Sequence, residues 1–278
     1  MRKWYIIILE LKVTTTGLYI PVAHTAAGAA NLTLGVIQLA LPMHQHLFPK
    51  VKKIVREHNM LRTGDKVAVG VSGGKDSLTT LYALATLRDI LPLRFSVMAI
   101  VVDMGWPGSD WTAVGDFCKS LDVCLKVVNT RIGPLLFEKR RETNPCALCS
   151  RMRHGALNKA AAEAGCNVVA LGHHREDAIE TLFMNLIYNG RIDCFKPVVD
   201  LDRSSLRLIR PMLYVAEKTC TRAAKKFSFP VQFNPCPADG NTRRQHVKEL
   251  LLAESKQDPA IPRRLLTAIK SLWEEDVK

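Results

Sequence analysis

From Phe48 onward, apolar and polar positions fall into a repeating strand–helix pattern. Pro49 to Asn59 puts Val51, Ile54, Val55 and His58 on one face, the spacing of a short helix. Gly64-Asp65 is a turn, and Lys66 to Val71 (KVAVGV) reads as a strand followed by a helix from Leu78 to Ile90. Arg94 to Asp103 is nearly continuous in apolar residues, as a strand covered on both faces should be. Ser109 to Leu121 predicts a helix, Cys124 to Asn129 a third strand, and Cys149 to Ala164 a helix ended by Gly165. Asn167 to Gly172 predicts a fourth strand, and Arg175 to Tyr188 a helix that stops at Asn189-Gly190. Leu206 to Ile209 predicts a fifth strand, and Tyr214 to Phe227, Thr242 to Ala253 and Pro259 to Glu275 predict helices.

This alternation predicts an α/β fold with a doubly wound parallel sheet and extra C-terminal helices packed on the same sheet. In such sheets ligands bind beyond the carboxyl ends of the strands. Here those ends are Ser72–Ser77, Asp103–Trp106 and Gly172–Asp177.

The first 43 residues break the pattern. No Asp, Glu, Lys or Arg occurs from Val13 through Pro49. Glu10 and Lys12 interrupt the opening apolar run, and Ala26 to Leu41 holds Asn31, Thr33 and Gln38. A spanning helix needs about 20 strongly apolar residues, so no membrane segment is expected. Residues 1–43 read as an N-terminal extension or an upstream translation start with Met43 as the alternative start, and 44–278 as one domain.

Among 278 residues, 39 Lys and Arg against 26 Asp and Glu give a net charge of +13, which makes a polyanion a natural partner. Eight cysteines are too few for a disulfide scaffold in a chain this long, so metal or redox use in a reducing compartment, the cytoplasm, is expected.

The strongest chemical signal is Ser72-Gly73-Gly74-Lys75-Asp76-Ser77, placed between a strand and a helix. Two glycines let backbone N–H groups approach an anion, and the helix offers its positive end. Lys75 neutralises phosphate charge, Ser72 and Ser77 donate hydrogen bonds, and Asp76 beside phosphates implies a cation, Mg²⁺. A Walker loop would need Gly at 69 and Ser or Thr at 76, where Val69 and Asp76 stand.

Cys146-Ala147-Leu148-Cys149 fits a zinc half-site, a redox pair, part of an iron–sulfur site or two incidental cysteines. Cys236, in the Pro-flanked Asn234-Pro235-Cys236-Pro237, is the best third thiolate, with Cys194 an outside candidate for a fourth. Three thiolates suit an iron–sulfur cluster with one open iron better than a closed zinc site. Cys118, Cys124, Cys166 and Cys220 read as core residues. Glu176 and Asp177, after His173 and His174, are candidate magnesium or general-base carboxylates; both also favour a helix start.

SGGKDS resembles the signature SGGxDS of the PP-loop ATP pyrophosphatases. With CALCSRMRHG, LGHHREDAIETLFMNLIYNGR and the NPCP loop before QHVKELL, the chain resembles the tRNA 2-thiocytidine synthetases, the TtcA-type branch of the tRNA thiolases, over Phe48 to Leu252. The resemblance implies ATP cleavage to AMP and pyrophosphate, with adenylation of a cytidine C2 oxygen, at position 32 of tRNA, and its replacement by sulfur. It implies a [4Fe–4S] cluster on Cys146, Cys149 and Cys236, and nucleotide contacts from Ser72 to Ser77, Val102, Asp103, Gly172 and Asp177. Lys75, Asp76, Asp177 and Arg153 would carry the chemistry, Arg153 by steadying charge near the cluster or by pairing with phosphate or an acidic neighbour. The implied partners are tRNA, a sulfur donor such as a cysteine desulfurase or inorganic sulfide, and a second copy in a homodimer. Lys50, Lys52, Lys53 and Arg56, Lys139, Arg140 and Arg141, Arg243 and Arg244, and Arg263 and Arg264 are candidates for an RNA footprint.

The sequence departs from the family at one point: many members carry a second C-x-x-C in the late loop, where this chain has Asp239. Two other readings remain open at this stage. One is a cluster-free PP-loop enzyme such as a lysidine or amidating synthetase. The other is a non-catalytic metal-containing RNA-binding protein.

Overall fold

The valines and alanine of Lys66–Val71 (β1) are buried on both faces of a sheet, which is why this short run can lie at its centre. The computed structural model describes residues 11–13, 19–21, 46–139, 145–202, 204–238 and 242–275. The chain falls into two units, Met1–His44 and Gln45–Lys278. In the first, Leu11–Val13 pairs antiparallel with Tyr19–Pro21; the rest of the expected extension lies outside the described residues.

In the second unit, helix α1 (residues 46–57) precedes β1. Then follow α2 (Lys75–Ile90), β2 (Ser96–Asp103), α3 (Thr112–Ser120), β3 (Cys124–Asn129) and α4 (Pro145–Glu163). The chain continues with β4 (Val168–Ala170), α5 (Arg175–Asn189), β5 (Val198–Leu201), β6 (Leu206–Ile209), α6 (Glu217–Lys226), α7 (Arg243–Gln257) and α8 (Ile261–Glu275). The sheet order is β3-β2-β1-β4-β6-β5. The order reverses between β1 and β4, so a crevice opens above their carboxyl ends.

Three expectations are corrected. The sheet is not wholly parallel, because β5, missed in the sequence, pairs antiparallel with β6 as an edge strand. Helix α4 begins at Pro145 rather than Cys149, so both cysteines of the C-x-x-C sit in its first turns. Proline suits such a start because it has no N–H to lose and its φ is already helical. The C-terminal helices pack mainly on other helices, α6 on α2 and both α7 and α8 on α5, rather than on the sheet.

Packing on the sheet is apolar. Leu78, Leu81, Leu84 and Leu87 of α2 are buried completely, at roughly 1.5–3 kcal/mol each. Leu157, Ala160 and Ala161 of α4 pack with Ala68, Ile100, Val169 and Leu208 of the strands. One polar cluster lies at the amino ends of the strands. Asp65, 4% exposed, accepts from Arg207 Nη2 at 2.9 Å, from Asn167 Nδ2 at 2.8 Å and from the Arg62 N–H at 2.7 Å. This cluster ties β1, β4 and β6 together at the end of the sheet away from the loop after β1.

Candidate active site

The loop Ser72–Ser77 is shaped by its own side chains. Ser77 Oγ donates to the Gly74 carbonyl at 2.9 Å and accepts from the Ser72 N–H at 3.1 Å. Gly74 caps α2 without a side-chain hydrogen bond, which leaves the helix amino end open to an anion. Gly73 has φ +80°, and a Cβ there would lie 2.8 Å from Gln232 Cβ. A Cβ on Gly172 would lie 3.0 Å from the Ser77 nitrogen. Glycine at these positions therefore lets three chain segments meet without side chains between them.

Lys75 Nζ sits 2.9 Å from Asp76 Oδ2 and 3.0 Å from Glu217 Oε1. Burial alone would lower its pKa, but the two carboxylates outweigh burial and raise it. Among the described residues, Asp76 Oδ1 is buried with no N–H or O–H donor, and the weak Cys220 thiol donor stands beside the carboxylate. An orphaned carboxylate oxygen beside an open helix amino end fits a divalent cation between the protein and phosphates.

The turn after β4 is tied to the same point. Asp177 Oδ2 accepts the His174 N–H at 2.8 Å and closes a capping box at the start of α5. His174 Nε2 lies 3.9 Å from Asp76 Oδ2, and its Nδ1 lies 3.4 Å from Glu176 Oε2. Burial would lower the His174 pKa; Glu176, Asp177 and Asp76 raise it instead. Glu176 Oε2 accepts the Glu217 N–H at 2.8 Å, fastening α5 to α6.

Burial would push Glu176 up, but bonds from His174, Arg175 and the Glu217 N–H hold it down at about 2. A depressed carboxylate stabilises the fold above its unfolded pKa, here 4.5, and loses that contribution as pH falls through about 2. The wild type is therefore expected to exceed Glu176→Gln in unfolding free energy at pH 7. That gap should shrink below pH 4.5 and close near pH 2. Denaturant titrations of both proteins across this range check it; a gap independent of pH would count against the ionic role.

Three thiols gather on the other side. Burial raises the Cys149 pKa, Arg153 one turn on lowers it, and the nearby Cys236 and Cys146 raise it further. Among the described residues, no three His, Cys, Asp or Glu side chains converge tightly enough to hold a single metal ion. A cluster makes a different demand, since each cysteine binds a different iron and the sulfurs stand further apart. A cysteine that feels the charges of two others, with an arginine beside it, fits such a group.

One cavity of about 560 Å³ joins the two halves. Ser72, Gly74, Asp76 and Ser77 line it on one side, and Arg153 and His154 of α4, with Asn234 and Pro235 beside Cys236, on the other. The Cys236 loop is fastened directly to the phosphate loop, with the Gln232 N–H donating to the Gly73 carbonyl at 2.9 Å. His173 also lines the cavity; burial and the charges of Arg210, His154, Arg244 and Arg153 push it down to about 3, so the ring is neutral at pH 7.

Comparison with known proteins gives the family and the fold. The PP-loop domain family matches residues 43–254. A tRNA-cytidine(32) 2-sulfurtransferase of Pelobacter propionicus is 35% identical over 235 residues, 84% of this chain and 87% of that protein. One from Histophilus somni is 36% identical over 232 residues, 83% of this chain and 74% of that protein. The chain belongs to the PP-loop family, among the tRNA-cytidine(32) 2-sulfurtransferases. The U34-tRNA thiolase NcsA of Methanococcus maripaludis, solved with its [4Fe–4S] cluster, shares the fold: TM-score 0.67 at 24% identity, covering 81% of this chain and 78% of that one.

The PP-loop residues expected from the sequence are partly brought together. Ser72, Gly74, Asp76, Ser77, Val102, Gly172 and Arg153 line the cavity. Asp103 is buried and spends both oxygens locally, on the Gly105 N–H at 2.7 Å and on Trp111 Nε1 at 2.6 Å. Met104 and Trp111 line the cavity there instead. Cys194 is buried and bonded to the Ala178 carbonyl, and burial pushes its pKa up to about 12. Cys118, Cys166 and Cys220 are buried as expected, but Cys124, at the start of the outermost strand, is exposed. Glu217 and Gln232 were missed; each looks like an ordinary helix-start or loop residue until the fold sets it against the phosphate loop.

Of the basic candidates, Lys50 is partly buried beside Arg175, Arg243 stacks over Tyr188 at 4.9 Å and Arg244 pairs with Glu180 at 3.2 Å. Arg263 and Arg264 are exposed. Arg140 and Arg141 lie outside the described residues, as does the Lys139 side chain.

Proposed function

We propose that this protein thiolates tRNA, replacing the C2 oxygen of a cytidine, most simply cytidine 32, by sulfur at the expense of ATP. The observation that carries this reading is the single cavity bordered by both the phosphate loop and the segments bearing Cys149 and Cys236. A site for ATP alone would not need the helix and loop that carry those cysteines to form its far wall.

A pyrimidine C2 carbonyl is a poor electrophile, and transfer of AMP to its oxygen turns that oxygen into a leaving group. The open amino end of α2, the loop N–H groups and Lys75 hold the pyrophosphate as negative charge builds on it. Asp76 Oδ1 would hold Mg²⁺, which when bound neutralises the same charge. Glu217 keeps Lys75 charged and directed at the loop. Asp177 and Glu176 hold His174 against Asp76 and so fix the carboxylate in place. Cys146, Cys149 and Cys236 would hold a [4Fe–4S] cluster, which when bound presents sulfur to the activated carbon. Arg153 offsets the thiolate charge beside that group. The sulfur would come from a cysteine desulfurase or inorganic sulfide, and the reaction would take place in the cytoplasm. Among the described residues no helix is long and apolar enough to cross a membrane.

Mass spectrometry of tRNA nucleosides from cells with and without the protein tests this reading. Loss of 2-thiocytidine is expected. Unchanged thionucleosides, or a colourless iron-free protein that remains active, would refute it in favour of a cluster-free PP-loop reaction.

A further inference from the structure

Phe233 lies three residues before Cys236 and lines the cavity, yet it is 88% exposed, the most exposed of the large apolar residues described. Four residues earlier, Phe229 does what a phenylalanine ordinarily does: it is buried against the rings of Tyr82, Phe117 and Phe227. Among the described residues, the Phe233 ring meets no other ring and no cation over its face.

An exposed phenyl ring forgoes the favourable transfer of apolar surface out of water. The backbone on either side of it is nevertheless fixed. The Gln232 N–H is bonded to the Gly73 carbonyl at 2.9 Å, and Asn234 Oδ1 accepts the Cys236 N–H at 3.2 Å. The ring thus stands at the cavity wall one residue after the point where its loop is tied to the phosphate loop.

We propose that Phe233 stacks on the nucleobase being modified, holding it between the thiol-bearing loop and the phosphate loop. The inference rests on the reading of this protein as a tRNA-modifying enzyme. A base turned out of a folded RNA loop loses its stacking neighbours, and an aromatic ring in the site replaces them. The adenine of ATP is the other flat ring at hand. Position favours the modified base, because Phe233 shares a loop with Cys236, whereas the residues expected to face adenosine, Val102 and Met104, line the cavity at the end of β2.

The test uses full-length protein carrying its cluster, a tRNA transcript and ATP. Measured quantities are the equilibrium Kd for labelled tRNA, KM for tRNA and for ATP, kcat and iron content. Phe233→Ala and Phe233→Leu should weaken tRNA Kd and KM by roughly 5- to 150-fold, the range of one base–aromatic stack. ATP KM and iron content should stay as in the wild type, and Phe233→Tyr should restore tRNA affinity to within a few-fold. Phe233→Leu matching the wild type would reduce the ring to apolar packing and overturn the proposal. An unchanged tRNA Kd in Phe233→Ala, or a rise in ATP KM instead, would overturn it as well. In each of these cases the wild type still thiolates; a wild type that forms no thionucleoside would bring down the thiolase reading itself, and this inference with it.

Discussion

Cys149→Ser is expected to lose its iron and to lower thiolation at least roughly a thousandfold, the scale on which removal of a group at the reacting centre is felt. The reason lies in the electrostatics of the three thiols. Burial and the charges of Cys236 and Cys146 all raise the Cys149 pKa, and Arg153 lowers it. Three thiolates crowded together need a cation to ionise, and bound iron supplies that charge. Serine keeps the shape but not the sulfur. ATP binding should survive, because the loop from Ser72 to Ser77 draws its order from its own serines rather than from α4. Iron content, visible absorbance and thionucleoside yield of anaerobically purified Cys149→Ser, with Cys118→Ser as the control, check the prediction. Cys118 is buried in α3 and should affect none of the three. A Cys149→Ser protein that keeps its iron would show that the thiols serve another purpose.

Arg207→Ala should cost about 3–5 kcal/mol of stability with the site left intact in the molecules that fold. Arg207 and Asp65 are 8% and 4% exposed, and Nη2 of the arginine reaches both carboxylate oxygens, at 2.9 and 3.2 Å. Truncating the arginine leaves a buried carboxylate with only the Arg62 N–H and Asn167 Nδ2 as donors. The pair joins the stretch before β1 to β6, so its loss loosens the sheet at the end far from the phosphate loop. Urea unfolding gives the free energy, and ATP affinity measured well below the midpoint should match the wild type. A loss under about 1 kcal/mol would mean that water reaches Asp65 in place of the guanidinium.

Much of this was legible in the sequence because local and global signals agreed. A β-branched run, two glycines, a lysine and a helical period spell strand, anion loop and helix in sequence; β1 and the end of α2 appear where they were expected, and α2 starts at Lys75 rather than Leu78, taking in the second half of the loop. The C-x-x-C and the NPCP loop were visible as candidates, and the charges of Cys236 and Cys146 both act on Cys149. Other features lacked a local signature. The edge strand Val198–Leu201 has only four residues, with Asp200 among them, and it exists because β6 offers it a partner. Asp103 looked like a ligand contact, but whether a carboxylate at a strand end faces outward or binds the following turn depends on where Trp111 returns. Glu217 is 142 residues from Lys75, and only the packing of α6 on α2 brings the two together.

The bond from the Gln232 amide to the Gly73 carbonyl has a consequence for how such an enzyme can change over generations. The close approach at Gly73 leaves no room for even a methyl group between the two strands of chain. A residue inserted in either stretch would shift this main-chain bond and the close contact beside it. The phosphate loop and the Cys236 loop are thus coupled in length through their backbones, so an insertion in one is felt as a displacement of the other.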